Sequence, residues 1–316
     1  MSPAAAGKID VHTHSIPPFL AEAATKAGRG ASISRGFPDW TPALALAFMA
    51  ENGISRSYLS ISQPGVHFGD DAAARDLARR CNDHFAALIE SHPGRFGAFA
   101  ALPLPDVDAA LAEAERALDG LKLAGVGLLA SYGTAFLGDP EFDPLLALLD
   151  ERGAVAFVHP NYHSSSRGLG MAIPGFLVEF PIDTTRAVAN LIFGGALERF
   201  PRIRFVLAHN GGAVPYLGWR LAMAPLIDQR FQSFSRESIL AALQRFYYET
   251  AQAAGPATMA ALGEIADPSR LLYGTDWPYC PPAVARAGDE ALAAGQAPTA
   301  LDAILRGNAA RLFGHA

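Results

Sequence analysis

Eight short runs of apolar, β-branched and aromatic residues recur along this chain, most of them followed by a longer segment of helical character. Read as strands, they cover residues 8–12, 57–62, 95–103, 125–131, 154–159, 204–209, 246–250 and 270–275. Amphipathic segments at 41–52, 71–91, 107–120, 143–153, 183–200 and 256–266 alternate with them. Thr41 and Asp106 stand where helix N-caps belong, and Gly53, Gly120 and Gly153 where helices stop. Parallel strands need a long crossover between them, and a helix supplies it. Eight β-then-α units are what a closed (β/α)8 TIM barrel requires. An open, doubly wound α/β sheet is the competing arrangement, but no Gly-x-Gly-x-x-Gly follows the first strand. With no flexible linker and no internal repeat, residues 1–316 are expected to form a single α/β domain.

Composition narrows the partners. Half of the residues are hydrophobic and only 18% are charged, enough for a large core. A net charge of -6 without a Lys/Arg cluster argues against nucleic acid as a ligand. No apolar run is long enough to cross a membrane, and residues 1–7 do not read as a secretory signal. Cys81 and Cys280 are too few for a disulfide framework, so a cytoplasmic location is expected. Residues 15–39, rich in Gly, Pro and Ser and carrying Arg29 and Arg35, form the longest strand-free stretch near the expected site. They are expected to be a long lid loop after the first strand.

In such a barrel the C-terminal strand ends converge on one mouth. The first strand leads to His12 and His14, the fifth to His159, the sixth to His209 and the eighth to Asp276. His12 and His14, two apart on extended backbone, point the same way. Three imidazoles and one carboxylate suit Zn²⁺, with Mn²⁺ as the alternative, and leave a position for water or substrate. Counted with Asp276 alone, such a centre carries about one net positive charge and attracts anions. The fourth strand holds no Lys to bridge a second metal, which favours one ion.

The pattern resembles the amidohydrolase superfamily, in its branch of metal-dependent, O₂-independent decarboxylases typified by aminocarboxymuconate semialdehyde decarboxylase. The motifs are Ile9-Asp10-Val11-His12-Thr13-His14, Val158-His159-Pro160, His209-Asn210-Gly211-Gly212-Ala213 and Gly274-Thr275-Asp276-Trp277-Pro278. Segments 60–65, 101–106, 137–140 and 183–190 look closest to 6-methylsalicylate decarboxylases. The resemblance implies that His12, His14, His159 and Asp276 ligate the metal and that His209 is catalytic. It also implies that Arg220 contacts substrate across a homodimer interface.

A 2-hydroxybenzoate can chelate one metal through its carboxylate and phenolate oxygens, which fixes the ring for protonation. Asp276 is then the candidate proton donor, with His209 holding or relaying the proton. A second route has a metal-activated water attack the substrate with His209 as base. The rival activity is hydrolysis of a lactone or amide, or hydration, on the same fold. No organic cofactor is expected. His67, Arg220, Trp277 and Arg35 are the candidate substrate contacts, while Glu249 at the seventh strand end either supports the loop after the sixth strand or is structural, and is left unassigned.

Overall fold

The computed structural model describes residues 7–30, 36–166, 168–170 and 172–314. Arg35, among the expected substrate contacts, lies outside them. The barrel strands are β1 Lys8–His14, β2 Ile54–Ser60, β3 Phe96–Ala101, β4 Gly125–Leu129, β5 Val155–His159, β6 Arg204–Leu207, β7 Tyr247–Glu249 and β8 Leu271–Leu272. They pair in sequence order, every neighbour parallel. The first and last strands meet through backbone bonds: Val11 N–H to Tyr273 O at 3.0 Å, Asp276 N–H to His12 O at 2.7 Å and His14 N–H to Trp277 O at 2.8 Å. These bonds close the ring and bring the two ends of the chain's barrel to one seam.

Alternate residues of each strand enter different cores, as a period of two demands. Ala156, Val158, Phe205 and Leu207 pack toward the surrounding helices, with Phe48, Phe85, Leu145 and Leu191. Val155, Phe157, Val206 and Ala208 join Tyr58 and Phe99 in a second cluster. Phe99 stacks on Phe157 with centroids 5.2 Å apart, and the Phe157 ring lies 5.0 Å from His12. The barrel is therefore plugged with aromatic rings just below the strand ends.

The expected caps are present: Thr41 accepts from Leu44 N–H and Asp106 from Ala109 N–H. Three differences have local causes. β1 runs on to His14 because the seam pairs Thr13 with Trp277. The segment 15–39 contains a helix, Pro18–Lys26, with proline at its first turn, so the loop proper is shorter than expected. The segment 183–200 divides at Gly194–Gly195, where Gly195 adopts φ 72°. Its helices are Glu179–Phe193 and Ala196–Arg199. Among the described residues no helix is long and apolar enough to cross a membrane.

Close strand packing at Gly125 is directly testable. A Cβ there would lie 2.3 Å from Val155 O on β5. Gly125→Ala is expected to destabilise the barrel by at least ~1–3 kcal/mol. Gly120→Ala, where a Cβ meets nothing within 4 Å, is expected to be near neutral. Thermal melts of the two variants check this; equal melting temperatures would contradict it.

Candidate metal centre

His12, His14 and His159 arrive on the ends of β1 and β5, and Asp276 follows β8 across the seam. All four side chains are buried. Their potential ligand atoms lie within 4.8 Å of one another. His12 Nε2 is 3.0 Å from His14 Nε2, and Asp276 Oδ1 is 3.0 Å from His14 Nε2 and 3.4 Å from His12 Nε2.

The outer hydrogen bonds assign the protons on these rings. His12 Nδ1 faces Glu249 Oε1 at 2.7 Å and His159 Nδ1 faces Pro160 O at 2.8 Å. Both partners can only accept, so each ring carries its proton on Nδ1 and turns an Nε2 lone pair inward. His14 Nδ1 is 2.9 Å from Ser60 Oγ, whose own hydrogen goes to Thr13 O at 3.3 Å. The hydroxyl thus accepts from His14 Nδ1–H. Asp276 Oδ1 is buried without a hydrogen-bond partner. Lone pairs pointed at one another in a dry interior repel unless a cation lies between them. The donor set therefore fits a divalent ion.

Electrostatics agree. Burial drives His14 below the usual imidazole range and His159 well below it. Burial opposes charge on His12 too, but Glu249 and Asp276 outweigh it and carry that ring up to about 10. In the absence of a cation, a proton on His12 neutralises those carboxylates. Burial likewise works against the Asp276 carboxylate, yet His12 and His14 hold it well below the usual range.

Further residues orient the cluster. Asp276 Oδ2 accepts from Gln252 Nε2 at 2.5 Å and from the Cys280 thiol at 3.6 Å, leaving Oδ1 to face the rings. Glu249, fully buried, also accepts the backbone N–H groups of His209 and Ala251. His209 donates Nδ1–H to Ala251 O at 3.0 Å, and its ring centroid lies 5.0 Å from that of His12. Glu249 does support the loop after β6, through His209 N–H, but its bond to His12 was not expected. Its signal was position alone, an acid at a strand end facing the same mouth. Nothing in the sequence marked Gln252, and Ser60 stood out only as the first residue of the segment 60–65 that carries the finer family resemblance.

A cavity of about 760 Å³ opens beside this cluster, walled by Ile61, Gln63, Leu102, Leu104, Leu129 and Tyr132, with Arg29 and His67 also on its lining. The side chains of the cluster are not on its lining; Leu129, which is, pairs with His159 across neighbouring strands. The remaining expected contacts occupy different settings. His67 lines the cavity and pairs with Asp71 at 2.8 Å. Trp277 is buried, stacked on Phe48 at 5.1 Å, and does not line the cavity. Arg220 is exposed on the helix Val214–Ala222 and makes no ion pair among the described residues.

The amidohydrolase family model matches residues 9–315. The chain belongs to the amidohydrolase family. It is 36% identical over 279 residues to the 6-methylsalicylic acid decarboxylase of Penicillium expansum, covering 87% of this chain and 86% of that one. A crystal structure of an amidohydrolase II superposes with a TM-score of 0.90 at 30% identity, covering 98% of this chain and 100% of that one. A dihydroxybenzoic acid decarboxylase from Polaromonas, solved with manganese and 2-nitroresorcinol, shares the fold at 23% identity and a TM-score of 0.82. It covers 98% of this chain and 97% of that one. The fold and branch implied by the sequence motifs are those found.

Glu249→Gln keeps the shape behind His12 and removes the charge. Loss of such an outer partner is expected to weaken divalent-metal affinity ~10–100-fold. His12→Ala is expected to abolish stoichiometric metal with far-UV circular dichroism unchanged. Metal analysis after dialysis against a competing chelator reads both, and wild-type retention in either variant would contradict the assignment.

Proposed function

We propose that this amidohydrolase-family chain is a metal-dependent, non-oxidative decarboxylase. Its substrate is a small aromatic acid, a 2-hydroxybenzoate such as 6-methylsalicylate, converted to the phenol and CO₂. The observation that carries the reading is the convergence of four inward-facing ligand atoms beside a cavity of mixed polar and apolar lining. The relationship to a 6-methylsalicylic acid decarboxylase over most of the chain supports the substrate class.

His12, His14, His159 and Asp276 would hold one divalent ion. Three imidazoles favour Zn²⁺, and the manganese of the Polaromonas relative supports Mn²⁺ as the alternative. When bound, such an ion would supply Lewis acidity toward the oxygens of an acidic substrate. The protein residues manage the proton. Asp276 is ionised at rest, so it is loaded in each turnover, and His209 is the neighbouring ring that hands the proton over. Delivery to the ring carbon bearing the carboxylate makes that carbon tetrahedral. The bond to the carboxylate then breaks, CO₂ leaves and aromaticity returns. One proton is consumed without net oxidation, so the step requires no organic cofactor. Leu102, Leu104 and Leu129 offer an aromatic ring apolar surface on one part of the cavity lining.

We place the enzyme in the cytoplasm, consistent with two free, buried cysteines. It acts as a homodimer. Tyr216, Trp219, Leu226 and Ile227 are 85%, 59%, 82% and 71% exposed on the stretch that carries Arg220. Covering this apolar face would bring Arg220 to a neighbouring subunit, where it and His67 serve as substrate contacts. Trp219→Asp is expected to yield monomer by light scattering with reduced kcat/KM; an unchanged oligomer would oppose this face as the interface.

The deciding assay is anaerobic turnover of 6-methylsalicylate and related hydroxybenzoates. Equimolar CO₂ and phenol are expected, lost on chelation and restored by Zn²⁺ or Mn²⁺. Release of a ring-opened acid from a lactone or amide, without CO₂ from any hydroxybenzoate, would replace this reading with hydrolysis. His209→Asn is expected to lower kcat ~10²–10⁴-fold with metal content retained.

A further inference from the structure

The barrel has a second cavity, of about 840 Å³, at the end opposite the metal centre. Strand starts line it: Arg56 on β2, Phe96 on β3, Val155 on β5 and Arg204 on β6, with Lys122 and Ala124 just before β4. The helix Asn308–Phe313 adds Arg311, Leu312 and Phe313. Arg56 and Arg204 precede Tyr58 and Val206 by two positions, and those two residues belong to the cluster inside the barrel. A strand period of two therefore directs both arginines to the axial side, one layer below the aromatic plug.

The charge on this lining is lopsided. Among the described residues, Arg56, Lys122, Arg204 and Arg311 meet one acid, Glu90, in a chain whose net charge is -6. Elsewhere arginines face carboxylates, as Arg116, Arg152 and Arg199 do. No ion pair among the described residues involves Lys122, Arg204 or Arg311. Asp119, near enough to feel the charge of Lys122, is taken by Arg152 at 2.7 Å.

Carbonyl oxygens hold the guanidinium groups in place instead. Arg204 donates Nε–H and Nη2–H to Gly153 O at 2.9 and 2.6 Å and Nη1–H to Leu312 O at 2.9 Å. Those bonds use three of its five N–H groups and leave its charge without a counter-ion. Arg56 donates Nε–H to Gly94 O at 3.1 Å, and Arg311 donates to Asn308 Oδ1. Like charges gathered around one half-enclosed space repel until an anion joins them.

We propose that this cavity is an anion site that binds a phosphate group, either free or carried by a small molecule. A dianion matches several cations set against a single carboxylate. Its oxygens accept from Lys122, Arg311 and the remaining N–H groups of Arg204. Ile89, Phe96 and Leu312 give an attached apolar group a surface to lie on. Barrel chemistry belongs to the strand ends, so a site at the strand starts binds without reacting. It is independent of the decarboxylase reading.

The test is calorimetry on the metal-loaded enzyme with inorganic phosphate and with phenyl phosphate, at ionic strength matched with potassium chloride. The wild type is expected to bind in a saturable way and to melt at a higher temperature with ligand present. Lys122→Glu and Arg311→Glu change exposed side chains, so both are expected to fold. Each is expected to weaken binding at least ~10-fold, with metal content and hydroxybenzoate turnover unchanged. Lys122→Arg is expected to retain it. Tighter binding of phenyl phosphate identifies a phosphate ester as the ligand, and equal affinities identify free phosphate. Affinities unchanged in both Glu variants would place the anion elsewhere, at the metal for example, and overturn the proposal. Absence of saturable binding by the wild type overturns it as well.

Discussion

Asp10 is a carboxylate fully shut off from water, and it ties the start of the barrel to its end. Its Oδ1 accepts from His12 N–H at 3.0 Å and from Thr275 N–H at 3.2 Å, while Oδ2 accepts from the Thr275 hydroxyl at 2.6 Å. Burial pushes its pKa up to about 7 even though those donors pull the other way. The residues it grips are the immediate neighbours of Asp276 and the first histidine of the pair. Barrel closure and site assembly are therefore one event. Shifting the seam by one residue would turn His12 and His14, or Asp276, to the opposite face and break the set.

Backbone strain gathers at the same rim. His209, Asn210, Gln252 and Asp276 have φ of 53°, 54°, 57° and 59°, a region unfavourable to side-chain-bearing residues. All four follow the ends of β6, β7 and β8, where an extended chain would carry the next side chain away from the mouth. At His209, Gln252 and Asp276 the left-handed turn redirects it toward the cluster, whereas Asn210 turns to Ala253 O and Met259 Sδ. Each such residue is held by bonds from the adjacent strand's loop: His209 by Glu249 and Ala251, Asn210 by Ala253, and Gln252 and Asp276 by each other. Gly274 belongs to this arrangement for another reason. A Cβ there would sit 1.9 Å from Glu249 Oε2 and 2.9 Å from His12 Cβ, so no other residue lets Glu249 stand behind His12.

These features also explain what the sequence could disclose. The eight strands announced themselves through apolar runs, and the histidines were legible because strand ends converge in a barrel whatever the details. The short hairpin of Ser131–Tyr132 and Ala135–Phe136 escaped because two-residue strands carry no period. The helix Pro18–Lys26 was hidden inside a Gly- and Pro-rich segment whose proline reads equally well as a turn or a first helical turn. Glu249, Ser60 and Gln252 act through hydrogen bonds to residues from tens to hundreds of positions away. Such pairings depend on register across the ring, which local patterns do not encode.

Glu249 also alters the charge of the centre. Counting Asp276 alone, a divalent ion would leave one positive charge to draw in an anion. Glu249 accepts from His12 Nδ1–H and from the backbone N–H groups of His209 and Ala251, donors that favour its charged form, so a second negative charge stands close to the cluster. The two carboxylates are not equivalent, because Coulomb attraction falls with distance. Asp276 has an oxygen at the cluster itself, whereas Glu249 stands behind the His12 ring with its oxygens also engaged by backbone donors. A carboxylate arriving from the cavity side meets the cation first and Glu249 only through an imidazole. Placing the second acid behind a ring leaves attraction on the open side while moderating the charge of the buried centre as a whole.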